Sequence, residues 1–183
     1  FSIMIIANKL RYSNRAEYLL YMWQVEDILR AYQCNIDRIK SEYLNRFTLT
    51  PEQEKEVEEW YRNLCEMMIS EGKREKGHLQ INCNTLEGLI EINAQLLKSE
   101  KFPYYKSMYY RVLPYVIEIR AKGEKKEKNE IETCFDILYC TMLLRLQHKE
   151  ISAETQKAVT DISTLLAQLS DYFLKNQKEA IDF

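Results

Sequence analysis

Glu26 and Arg30 stand four residues apart in the segment EYLLYMWQVEDILRA, residues 17–31. On a helix that spacing lets a carboxylate and a guanidinium pair. Trp23 falls on the same side, where its ring can receive the guanidinium face. Glu17 and Gln24 share another edge two turns apart, with Asp27 also unassigned. Far along the chain, Arg145 falls inside an apolar stripe that also holds Leu138 and Met142. A guanidinium placed there must reach past the helix end or meet a carboxylate, because an unpaired buried charge is costly. Glu17, Asp27 and Glu132 are its candidate partners. The plainer reading of the whole set is a few ion pairs that fix helix register. The sharper reading is a polar pocket for a small molecule or metal, lined by the helices that carry these residues, with His78 at its mouth.

Metal chemistry has one point of entry. Glu75 and His78 have the Glu-x-x-His spacing of di-metal carboxylate sites. Such a site needs the motif twice, and His148, the other histidine, has Arg145 at that spacing. Gly77 also points to a loop rather than mid-helix, so no metal and no cofactor are expected. Nucleophilic hydrolysis has less support still. G-x-S-x-G is absent, no glycine-rich loop could cradle phosphate, and cysteine and histidine form no known nucleophile–base motif, so such partners would have to meet in space. No catalytic residue can be named.

The elements that must position these residues are helical. Only 4 Gly and 3 Pro occur in 183 residues, too few turn-formers for a sandwich, a barrel or a βαβ sheet. A first helix is predicted from Ser13 or Asn14 to about Gln33, and a second from about Asn35 to Phe47. The third opens at Thr50, where Pro51 suits the first helical position and Gln53 completes a capping box; it runs to about Gly72. The fourth covers about 78–98, the fifth 102–121, the sixth about 130–148, and Ser152 caps the seventh. Pro114 predicts a kink or restart in the fifth. The first and sixth helices are apolar on several faces and are expected at the centre of one bundle-like, all-α domain spanning 1–183. The charged stretch KGEKKEKN, 122–129, is expected to be a mobile loop.

The fifth helix carries five of the 13 tyrosines. Tyr105 and Tyr109 lie on the core stripe with Val112 and Val116. Tyr104, Tyr110 and Tyr115 lie off it and are candidates for an exposed aromatic interface.

Lys and Arg number 26 against 28 Asp and Glu, a formal net charge of −2, so general nucleic-acid binding loses weight. It would need Lys73, Arg74, Lys76 and the lysines of 122–129 on one surface. Cys34, Cys65, Cys83, Cys134 and Cys140 form an odd set without Cys-x-x-Cys, as expected of free thiols in a reducing cytoplasm. No apolar run approaches the roughly 20 residues of a membrane span.

Several long stretches carry a resemblance: AEYLLYMWQVED (16–27), EKGHLQIN (75–82), FPYY (102–105), EIETCFDILY (130–139) and LLRLQHKEISAETQ (143–156). Together they resemble an uncharacterised family of small all-helical Bacteroidetes proteins known as a domain of unknown function. The resemblance implies a helical domain in a bacterial cytosol, and no reaction or ligand. The leading expectation is a non-enzymatic protein that binds another macromolecule or a copy of itself.

Overall fold

The computed structural model describes residues 3–123 and 127–183, and no strand occurs among them. Among the described residues eight α-helices follow one another: α1 (Ile3–Ser13), α2 (Arg15–Ala31), the single turn α3 (Ile36–Arg38), α4 (Pro51–Ser70), α5 (Gln80–Lys98), α6 (Pro103–Lys122), α7 (Glu130–Leu146) and α8 (Ala153–Lys178). The all-helical class read from glycine and proline scarcity is therefore observed.

Local chemistry sets several of the boundaries. Thr50 Oγ1 accepts from the Gln53 N–H at 3.3 Å, and Gln53 Oε1 accepts from the Thr50 N–H at 3.1 Å, so the capping box at the start of α4 is closed. Ser152 Oγ caps α8 by accepting from the Thr155 N–H. Asn129 Oδ1 does the same for α7 at the Ile131 N–H.

Three elements differ from the sequence reading. First, residues 3–13 form a helix of their own, with α2 starting two residues on; Ser13 ends α1 with its hydroxyl on the Lys9 carbonyl. The sequence reading starts its first helix only at Ser13 or Asn14. Second, the expected helix over 35–47 is composite: α3 gives way to a π turn, Ile39–Tyr43, and then a 3-10 turn, Leu44–Arg46. These irregular turns put Ile39 and Leu44 into the core. Third, α6 runs unbroken through Pro114. Pro114 and Tyr110 are both exposed, so the Tyr110 carbonyl freed by the missing N–H is not trapped in the core. The expected mobile loop falls partly outside the described residues, at 124–126. On its flank, Lys128 pairs with Glu132 at 2.9 Å and Asp136 at 2.6 Å.

The helices fall into two compact units. One takes in residues 3–13 and 17–85, the other residues 14–16 and 86–183. In the first, Met22, Val25 and Leu29 of α2 pack with Ile39, Leu44, Val57, Tyr61, Leu64, Met68 and Leu79 in one apolar cluster. Tyr43 meets Tyr61 and Phe47 edge-on, which fills the space around the irregular turn. In the second, α6, α7 and α8 pack on one another. Their buried residues include Val112, Val116, Phe135, Ile162, Leu165 and Leu169. Tyr105 is 1% exposed and donates its phenol to Asn93 Oδ1 at 2.6 Å.

Candidate functional site

The charges of α2 converge on residues 73–82 in the first unit. Glu26 is fully buried. Its Oε1 accepts from the Leu79 N–H at 2.9 Å and from the Asn82 side-chain amide at 2.6 Å. Its Oε2 lies 2.7 Å from His78 Nδ1 and 3.8 Å from Arg30 Nη2. Glu71 Oε2 accepts from the Gln80 N–H at 2.8 Å. Two carboxylates, Glu26 of α2 and Glu71 just past the end of α4, thus satisfy amides that α5 leaves open at its N-terminus. Their negative charge also suits that end of the helix dipole.

Arg30 is the second fixed group. Its Nη1 donates to Asp27 Oδ1 at 2.8 Å, its Nε donates to the Lys73 carbonyl at 3.2 Å, and its Nη2 donates to the Gly77 carbonyl. The expected Glu26–Arg30 pair is therefore present but long. The closer carboxylate is Asp27, and the guanidinium mainly holds the 73–77 turn. The ring stacked on Trp23 is that of His78, with centroids 4.3 Å apart and an interplanar angle of 13°.

Trp23, Glu26, Asp27, Arg30 and His78 are brought together, as grouped from the sequence. Glu17 is exposed and Gln24 half-buried on α2. Glu132 pairs with Lys128. Arg145 is exposed in the last turn of α7, where Leu144 and Leu146 are exposed as well. Helical periodicity assigned Arg145 its angular position. What it could not reveal is that α7 has left the core by that turn, so the guanidinium reaches water. Sequence reasoning missed Asn82, though it lies four residues beyond His78. The Lys73 and Gly77 carbonyls carry no side-chain signal at all. Glu75 and His78 lie in the loop before α5 rather than on one helix face, and no group of three or more His, Cys, Asp or Glu among the described residues could hold a metal ion.

Chemically, a carboxylate on Nδ1 fixes the His78 ring and leaves Nε2 facing elsewhere, the orienting half of a general base. Among the described residues, the His78 ring hydrogen-bonds to Glu26 and to no nucleophile. Beside Arg30, a cavity of about 530 Å³ is lined by Gln33, Arg74 and Glu75. Gln33 and Cys34 close α2 in the left-handed region, φ 57° and 53°. The Cys34 N–H reaches the Leu29 carbonyl at 2.7 Å. Burial pushes the Cys34 thiol up, with Arg74 and Arg30 pulling it back.

The tyrosine candidates lie on α6. Tyr104 is 87% exposed and Tyr110 60% exposed, while Tyr115 is half-buried. Tyr115 lines a groove of about 440 Å³ with Ile119, Ile137, Ala158 and Ile162. At 3.6 residues per turn, Tyr104 and Tyr110 point about 120° apart, so the three do not form one patch. Tyr110 belongs instead to a different row. Pro103, Ser107, Tyr110, Pro114, Ile117 and Ala121 are all exposed. They alternate at spacings of four and three along one side of α6, the seam of a helix that packs lengthwise on another. No residue in that row is charged, and Ile117 is 55% exposed.

A family model described as a domain of unknown function (DUF4924) matches residues 4–180. No curated protein matches the chain, and no solved structure does either.

Proposed function

The chain belongs to that family of unknown function, and we propose that it is a non-enzymatic association domain that presents α6 to another helix. The observation that carries this reading is the uncharged, exposed four–three row from Pro103 to Ala121. A surface helix normally keeps its outward face polar. An exposed, uncharged and largely apolar row this long is a mark of an interaction surface. The polar centre around Glu26 supports the same reading by elimination. Its carboxylate oxygens are taken up by Leu79, Asn82, His78 and Arg30, which is the work of a clamp on α5.

The family match runs through both compact units, which supports treating the chain as one working domain. No helix among the described residues is long and apolar enough to cross a membrane. Five free cysteines fit the reducing cytoplasm of a bacterium.

The test is photo-crosslinking from a benzophenone side chain placed at Ser107 or Ala121, with a control at the exposed Ala167 on α8. Crosslinked protein should form from the α6 positions and vanish in the Tyr110→Ser/Ile117→Ser double variant. Circular dichroism of that variant should be unchanged. Absence of any adduct from α6, or equal labelling from α8, rejects the reading.

A further inference from the structure

We infer that the helix received by α6 is α6 of a second copy of this chain, packed antiparallel about a two-fold axis. The inference rests on the association reading above and adds the partner and the register. In the four–three seam, Ser107, Pro114 and Ala121 form one column, and Pro103, Tyr110 and Ile117 the other. The residues that flank a seam choose the partner's direction and register through their charges. Arg111 and Glu118 flank one edge, seven residues apart. Lys106, Leu113 and Arg120 flank the other.

A parallel pair of α6 helices would set Lys106 of each copy against Arg111 of the other, a like-charge contact made twice. An antiparallel pair with its axis at Val112 would oppose the two Arg111 side chains. An antiparallel pair with its axis between Tyr115 and Val116 removes both conflicts. Pro114 then packs on Ile117 of the partner subunit, Ala121 packs on Tyr110 of the partner subunit, and Arg111 faces Glu118 of the partner subunit. The two-fold axis makes each of these contacts twice.

The condition of these charges within one copy favours the exchange. Arg111 is exposed and makes no ion pair among the described residues. Glu118 is 56% exposed and pairs with Lys122, itself 73% exposed, and such an open pair contributes little. Arg120, by contrast, is engaged by Glu130 at 2.8 Å, which keeps the second edge quiet. The net charge of −2 per chain offers little general repulsion between copies. A helix of 20 residues spans about 30 Å, so α6 alone buries less than the roughly 1,200 Å² of a standard interface. The dimer is therefore expected to be weak and concentration-dependent.

The experiment is sedimentation equilibrium of the full chain from about 1 to about 300 µM, the range in which weak interfaces associate. A monomer–dimer equilibrium is expected in that range. Arg111→Glu and Glu118→Arg should each weaken the dimer by about tenfold, and the double exchange should restore it to within about threefold, as direct charge pairing requires. A chain that stays monomeric throughout, or a double exchange no tighter than the single variants, overturns the inference. The crosslinking result separates the two failures. An adduct to a different protein leaves the association reading standing and removes only the second copy; no adduct removes both.

Discussion

Glu26 and Asn82 meet 2.6 Å apart in the core of the first unit, across 56 residues of chain, with the amide of Asn82 donating to the carboxylate of Glu26. The contact ties α2 to the first turn of α5, and the neighbouring bonds to Leu79 and His78 make it part of a buried network. Such networks are costly to break in part, because the groups left behind keep their desolvation penalty without their partner.

Asn82→Asp tests that network. The variant sets two buried carboxylates against each other where one amide now donates. At pH 7 the loss is expected to reach about 3 kcal/mol, the scale of an uncompensated buried charge. The sign with pH is fixed. A proton shared in the folded state raises the pair's titration above its unfolded value, so the folded state binds more protons and stability returns as pH falls. Urea unfolding at pH 7 and pH 5 measures both. A variant as stable as the parent at pH 7, or less stable at pH 5 relative to the parent, contradicts the geometry.

Gly88→Ala tests packing in the second unit. A Cβ at Gly88 would lie 2.9 Å from Cε2 of Phe173. That ring also lies beneath the Arg15 guanidinium, 5.2 Å from its centroid. Arg15 is anchored in turn by its N–H on Ser170 Oγ at 2.7 Å and its Nη2 on Gln177. Alanine gains about 1 kcal/mol of helix propensity, but overpacking costs about 1–3 kcal/mol. A net loss near 1 kcal/mol is expected, relieved in Gly88→Ala/Phe173→Leu. A gain in the single variant would mean that the ring yields freely.

The buried thiols make alkaline stability informative. Burial pushes Cys65 up to about 11 and Cys134 up to about 12, from an ordinary 9.0. For these groups the fold favours the neutral form. The stability they contribute is complete below the ordinary thiol range and is lost as pH climbs through the folded values. Thiolate absorbance at about pH 10 should therefore be lower in the native protein than in urea, and the melting temperature should fall from pH 9 upward. Equal thiolate absorbance in the two states would mean that these cysteines reach solvent.

Much of the helical layout was legible because it is local. Thr50 with Gln53, Ser152 with Thr155, and the apolar periodicity of α4 and α8 each involve residues within a turn or two of one another. The composite turn at 39–46 was not legible, since its irregularity serves the packing of Ile39 and Leu44 against residues from other helices. At the candidate site, the grouping of Trp23, Glu26, Arg30 and His78 could be proposed from residue type alone, but not the choice of partner.

That division has a physical cause. The sequence by itself determined where helices start and which direction each side chain takes, because both follow from backbone geometry and nearest neighbours. Tertiary structure alone decided depth and partnership. It sent Arg145 to water though its stripe pointed inward, because the last turn of α7, with Leu144 and Leu146 beside it, lies exposed. It gave Glu26 to the Leu79 N–H and the Asn82 side-chain amide rather than chiefly to Arg30, because these two buried donors need an acceptor that the local chain does not supply. It also left the row from Pro103 to Ala121 uncovered, a property that no helix can have until the rest of the chain has packed.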